Sequence, residues 1–198
     1  MQTTLAELIA GSATGRRIVR ALGARRTADI VADVTRDMRK TNRIVDIGAG
    51  SCDVAAQLVA QGYDVTPVDV RNLSCVEGLR PIVYDGKHLP FSDSAFDVAL
   101  LIGVLHHTAN PDAVLAEAAR VASRIVIMED IYRTGWQRLA TVGMDSVTNV
   151  EFVGHPHSNR DDAGWRRAFS TLGLEVVEAR TRPFWGLFLC AVYVVEVR

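Results

Sequence analysis

The sequence predicts an α/β fold: a mostly parallel seven-stranded sheet, helices on both faces, and a C-terminal antiparallel hairpin. Three observations carry this expectation. Short β-branched runs alternate with helix-periodic stretches from about residue 44 onward, and such alternation builds a layered sheet. The first run ends in Gly48-Ala49-Gly50 and opens directly into a helical pattern, which calls for a tight strand-to-helix turn. The last two runs, about 174–181 and 187–196, are joined by a loop with no helix between them, so they pair antiparallel.

The elements follow in order. Residues 3–12 and 16–38 read as two helices, the second with apolar Ile18, Val19, Leu22, Ile30, Val31 and Val34 and a break at Gly23. Strand one spans about 44–48. The helix after it sets Val54, Ala55, Leu58 and Val59 on one face and ends at Gly62, a natural C-cap. Strand two covers about 64–70, and Pro67 inside it predicts a bulge. Residues 72–79 form at most a short helix, strand three covers about 81–85 and strand four about 96–103. Asn110-Pro111-Asp112 supplies an N-cap, a proline at the first helical position and an acid in the first turn. That helix runs through Ala122 and buries Val114, Leu115, Ala118 and Val121, and strand five follows at about 124–129. Residues 131–158 are long and irregular, and such segments are often functional. Asn159 with Asp162 predicts a capping box for a helix to Leu172.

Composition narrows the function classes. The chain has 198 residues, 48% hydrophobic and 23% charged, enough for one domain with a substantial core. Its net charge of −1 sets up no global field for nucleic acid or an anionic membrane. Residues 1–43 hold nine Arg and Lys against four Asp and Glu, a solvated helix face or a basic lid over an acidic substrate. Three scattered cysteines argue against a disulfide framework and for a reducing compartment. The N-terminus has no signal-peptide pattern, and the longest apolar run, 184–195, is too short to span a bilayer. A cytoplasmic location is the expectation.

The motif Asp46-x-Gly48-x-Gly50 is the sharpest functional signal. Its glycines let the backbone approach a ligand closely. A dinucleotide fingerprint requires a third glycine, and Asp53 stands there instead, which counts against a nicotinamide-dependent oxidoreductase. Downstream, Asp85-Gly86-Lys87-His88-Leu89-Pro90-Phe91-Ser92-Asp93-Ser94-Ala95-Phe96-Asp97 is followed by Val104-Leu105-His106-His107. In order and spacing these motifs resemble the class I S-adenosylmethionine (SAM)-dependent methyltransferases, in particular the ubiquinone/menaquinone-biosynthesis-type branch. The resemblance covers roughly residues 40–198 and implies a Rossmann-like sheet.

It also implies roles, residue by residue. Gly48, Ala49 and Gly50 form the turn under the cofactor, and Asp46 lies near its amino group. Asp69, 19 residues after Gly50, accepts both ribose hydroxyls, which suits a paired acceptor. Val70 packs on the adenine. Asp85 lies near the adenine amino group, with Tyr84 and Gly86 giving backbone contacts. Ile102 and Gly103 border the transferring methyl. The product is S-adenosylhomocysteine (SAH).

On the substrate side, His106 and His107 follow strand four, and His is the side chain whose ordinary pKa suits a general base. Glu129 and Asp130 end strand five. Adjacent strand residues point to opposite faces, so at most one of these acids enters the cleft. The insert carries Trp136, Met144, Asp145, Asn149, Phe152, His155, His157 and Asn159, which suits either a substrate cap or a packed loop. His155-x-His157 lacks a ligand set at metal spacing, so no metal is expected. The domain reading is one methyltransferase domain over 1–198. It comprises an N-terminal helical lid (1–40), a SAM-binding half (41–130), a cap insert (131–160) and a C-terminal helix and hairpin (161–198). The expected function is methyl transfer to a small-molecule acceptor on O, N or C. The rival is a non-catalytic methyltransferase-fold binding module. A nucleic-acid substrate is disfavoured by the absence of an Asn/Asp-Pro-Pro-aromatic motif. No pattern in the sequence assigns an oligomeric state.

Overall fold

A computed structural model of the chain describes residues 12–132, 159–184 and 188–198. In chain order the elements are α1 (Ala13–Val34), β1 (Arg43–Ile47), α2 (Asp53–Ala60), β2 (Asp64–Asp69), β3 (Ile82–Val83), β4 (Phe96–Ile102), α3 (Pro111–Val121), β5 (Ala122–Ile131), α4 (Asp162–Thr171), β6 (Leu174–Phe184) and β7 (Phe188–Val197). Short 3-10 turns follow α1 at Thr35–Asp37 and β4 at Leu105–His107. One sheet takes the order β3-β2-β1-β4-β5-β7-β6. Strands β1 to β5 pair in parallel, and β7 runs antiparallel to both β5 and β6.

The chain leaves β1 toward β2 on one side and crosses back to β4 on the other. That reversal opens a crevice beyond the carboxyl ends of β1 and β4, where open α/β sheets bind ligands. Alternation along the strands divides the core. Val45, Ile47, Ile125 and Ile127 pack with Leu115 and Val121 of α3 and with Trp165 and Phe169 of α4. Ile44, Leu100, Val126 and Met128 face the other way, toward Ile30, Val31 and Val34 of α1 and Leu58 of α2. Central strands with both faces covered are largely apolar, as in parallel sheets generally, with Asp46 and Glu129 the buried acids near their carboxyl ends.

Several expectations change in detail. Residues 3–11 of the helix expected over 3–12 lie outside the described residues, and Ser12 caps α1 by accepting from Gly15 N at 2.9 Å. The helix α1 runs through Gly23 without a break, and Thr27 Oγ1 donates to the Gly23 carbonyl at 3.1 Å. Among the described side chains of this helix, Ile30, Val31 and Val34 pack into the core, so packing overrides a weak helix former. Pro67 makes no bulge, because the β1–β2 register is continuous from Arg43↔Asp64 to Ile47↔Val68. The Val68 carbonyl accepts from Gly48 N, so Val68 faces β1 and Pro67 faces the other edge. The strand β3 reaches that edge only at Val68 and Asp69, so the missing N–H removes no ladder bond.

No helix forms over 72–79. Ser74 Oγ donates to the carbonyls of Val76 and Leu79 and closes a compact loop instead. The cap of α4 is Asp161, whose carboxylate accepts from Gly164 N at 2.7 Å, rather than Asn159. Most of the insert, 133–158, with Trp136, Met144, Asp145, Asn149, Phe152, His155 and His157, lies outside the described residues. Among the described residues no helix is long and apolar enough to cross a membrane.

Candidate functional site

The turn after β1 is held against β2. Gly48 N and Ala49 N both donate to the Val68 carbonyl, at 2.8 and 3.0 Å. Gly48 has φ +75°, and a Cβ there would lie 2.5 Å from Val104 Cγ2. Glycine is therefore required by backbone conformation and by space. Gly50 has φ +51°, but a Cβ there would meet nothing within 4 Å, so its outer side is open.

Two acids frame this turn. Asp69 Oδ2 accepts from Gly50 N at 2.8 Å and Oδ1 from Arg71 N at 3.1 Å. Each oxygen keeps further acceptor capacity. Asp46 is 3% exposed, and its Oδ2 has no hydrogen-bond partner among the described residues. Burial, with the nearby Asp69 charge second, pushes its carboxyl up to about 7. A buried carboxylate oxygen without a donor is costly unless a cation or donor meets it. The pair therefore fits a ligand with an ammonium group for Asp46 and hydroxyls for Asp69.

The next wall is apolar. Val70 is 48% exposed just past β2, and a Cβ at Gly86 would lie 3.1 Å from Val70 Cγ1. Tyr84 N donates to the Asp69 carbonyl at 3.1 Å, which brings segment 84–86 beside Val70. An exposed valine beside a glycine-lined backbone suits a flat ring. Asp85 Oδ1 accepts from Lys87 N and His88 N, both at 2.8 Å, and these bonds hold its carboxyl below the ordinary range. One oxygen of Asp85 is thus spent on closing a turn.

Sequence reasoning missed what fixes the Leu89-Pro90-Phe91 segment. Glu117 Oε2 accepts from Leu89 N at 2.9 Å. Arg120 donates to the carbonyls of Leu89 and Phe91, at 3.1 and 2.8 Å, and to Asp93 at 2.9 Å. Glu117 and Arg120 also bond each other one helical turn apart on α3. The i,i+3 charge pair was visible in the sequence, but it looks like any exposed helix pair.

At the end of β4, Gly103 has φ +63° and donates to the Met128 carbonyl at 2.7 Å. Glu129 is 1% exposed. Its Oε1 accepts from Val104 N and Leu105 N at 3.0 and 2.7 Å, and its Oε2 lies 2.5 Å from His106 Nδ1. Glu129 is thus enclosed, and both of its oxygens are engaged by this loop. Nδ1 is the ring nitrogen of His106 that meets the carboxylate. His107 stacks obliquely on His106, with ring centroids 4.0 Å apart. Asp130 points to the opposite face of β5. There it lines a cavity of about 40 Å³ with Ile102, Gly103, Cys190 and Arg26 and Asp29 of α1. The two acids thus point to opposite faces of β5, and Asp130 shares a cavity wall with Gly103.

Asp46, Gly48, Ala49, Gly50, Asp69, Val70, Tyr84, Asp85, Gly86, Ile102 and Gly103 therefore lie at or just past the carboxyl ends of β1 to β4. Residues 45–124 match the family described as methyltransferase domain. The chain resembles magnesium protoporphyrin IX methyltransferase from Synechocystis PCC 6803, solved with bound SAH, at 14% identity and TM-score 0.64, over 100% of this chain and 90% of that one. It also resembles 1,6-didemethyltoxoflavin-N1-methyltransferase from Burkholderia thailandensis, at 15% identity and TM-score 0.62, over 87% of this chain and 78% of that one. The cyclase SpnF shares the architecture at 16% identity and TM-score 0.64, over 87% of this chain and 80% of that one. At such identities the likeness is one of fold. A comparison with curated proteins gave no match.

Proposed function

We propose that this chain, whose fold is that of the class I methyltransferases, is a SAM-dependent methyltransferase acting on a small-molecule acceptor. The observation that carries the reading is the buried, unpartnered oxygen of Asp46 beside the Asp69-clamped Gly50 turn. Asp46 would hold the cofactor's amino group and Asp69 its ribose hydroxyls. Val70 and the 84–86 backbone would hold the adenine, and Ile102 and Gly103 would border the methyl. The bound sulfonium supplies an already activated methyl group. The chain's own task is then to align the acceptor and exclude water.

Two groups can take a proton from the acceptor. Asp130 lines the cavity beside Gly103. His106, with its Nδ1 tied to Glu129, has Nε2 as its basic nitrogen. Asp130 stands at the carboxyl end of β5 and His106 in the turn after β4, so each would be a candidate base for an acceptor at the strand ends.

Calorimetric titration with SAM and SAH, with NAD as a control, tests the reading. Micromolar binding of both, NAD silent, and loss of binding in a folded Asp69→Ala chain are expected. Unchanged SAM affinity in Asp69→Ala would sink the site. Binding without turnover of any acceptor would favour a non-catalytic module.

A further inference from the structure

We propose that Glu117 and Arg120 of α3 are positioning residues for the cofactor's ring. By gripping the segment that follows Asp85, they set the pocket's choice of adenine over a ring with a carbonyl in place of the amine. The proposal rests on the cofactor reading above, in which Val70 and segment 84–86 take the adenine.

From Tyr84 to Ala95 the chain forms no helix or strand. Its backbone groups therefore find their partners outside any regular ladder. Asp85 Oδ1 closes the first turn by accepting from Lys87 N and His88 N. The methyltransferase resemblance sets Asp85 near the adenine amine, and Oδ2 is the oxygen left for that role. An amine donates to a carboxylate, whereas a carbonyl in its place has nothing to donate. Selection of the ring thus depends on where Asp85 stands.

Asp85 is exposed, so burial does not hold it. The first residue after it to reach the core is Leu89, at 4% exposed. There α3 grips the backbone on both its polar groups. Glu117 Oε2 accepts from Leu89 N, and Arg120 donates to the Leu89 carbonyl. Arg120 donates again to the Phe91 carbonyl, and its own carbonyl accepts from Ser94 N at 2.9 Å. The two side chains brace each other through hydrogen bonds of 2.8 Å. The helix beneath them is fixed, since Leu115, Ala118 and Val121 are wholly buried.

Only three residues separate Asp85 from this grip. The clearance is narrow as well, because a Cβ at Gly86 would lie 3.1 Å from Val70 Cγ1. Misplacement by about 1 Å is enough to spoil a binding geometry. The fork of Arg120 reaches two carbonyls at once, which a lysine cannot reproduce.

The test is calorimetric titration of the full chain with SAH and with S-inosylhomocysteine, which carries a carbonyl where adenine carries its amine. Hydrogen exchange at the Lys87 and His88 amides is followed alongside. Val192→Ala is the control: it removes buried bulk from the core layer facing α1, on the other side of the sheet from α3. We expect the natural chain to prefer SAH about tenfold or more. Arg120→Lys should narrow that preference to about twofold and speed exchange at both amides about tenfold. Glu117→Gln, a milder change, should fall between the two, and Val192→Ala should keep the full preference. No preference in the natural chain would overturn the proposal, as would an equal loss in Val192→Ala. So would an undiminished preference in Arg120→Lys, or in Glu117→Gln should the lysine variant not fold. In each of those cases SAH still binds and the cofactor reading stands. Binding of neither compound by the folded natural chain would remove both.

Discussion

Two glycines two residues apart answer to different constraints, and substitution separates them. Alanine at Gly48 meets a left-handed backbone and the Val104 side chain, whereas alanine at Gly50 meets only the backbone. We expect Gly48→Ala to cost about 2–4 kcal/mol in urea unfolding and Gly50→Ala about 1 kcal/mol. Adding Val104→Ala to Gly48→Ala should restore the steric share. Equal losses at the two glycines would refute the packing argument. Asp46 gives a pH prediction. Its carboxyl ionises near pH 4 in the unfolded chain and near 7 in the folded one. Between those values the folded state keeps a proton that the unfolded state has shed. This group therefore lowers stability as pH rises from about 4 to 7, at up to about 1.4 kcal/mol per pH unit. Asp46→Asn should remove that slope and stabilise the ligand-free protein at pH 7 relative to pH 5, while weakening SAM binding. Parallel urea curves for the two proteins at both pH values would contradict it. The acid and the glycines were legible in the sequence because a local motif specifies them. The orphaned oxygen was not, since burial of Asp46 arises from strands and helices distant in sequence.

Among the elements, α3 does more than fill the core. Its outer face supplies Glu117 and Arg120, which grip the backbone of Leu89 and Phe91. Arg120→Ala should cost about 1–3 kcal/mol and loosen the segment beside the adenine-side wall. Hydrogen exchange at Leu89 and Phe91 should rise by at least tenfold, and unaltered exchange there would discount the staple. Glu129 does the matching work for the loop after β4. Glu129→Gln keeps the shape but loses charge-assisted bonds to two backbone amides and His106, so a cost of about 1–3 kcal/mol is expected in thermal unfolding. The helix and strand periods placed these elements within a few residues. Their ends were harder to read. Pro67 looked disruptive only because the sequence does not show that β3 stops short of it. Asp161 and Asn159 are both good caps, and packing of Trp165 and Phe169 into the core selects the former.

At the scale of the whole molecule, α1 is bound to the C-terminal hairpin by charge. Asp37 pairs with Arg180 at 2.5 Å and Asp33 with Arg182 at 3.1 Å, while Arg124 of β5 bonds Glu196 of β7. A ligand that binds only the folded chain should then stabilise the entire structure: SAH at a hundred times its Kd adds about 2.7 kcal/mol. The melting temperature should rise with SAH in the natural chain and stay fixed in Asp69→Ala. A rise in both would show that SAH binds elsewhere. The crevice was legible through the family resemblance, which implies a Rossmann-like sheet; alternation of elements alone predicts parallel strands but not their order. The position of β7 has a further consequence. It is the last described strand to emerge during synthesis, yet it sits between β5 and β6. Until it arrives, β5 offers an open ladder of backbone groups along an apolar strand, a ready template for another unfinished chain. The nascent chain is thus most exposed to aggregation after β5 is made and before β7 pairs with it, and slowed translation over 188–197 should lower its soluble yield more than slowing over β2 and β3.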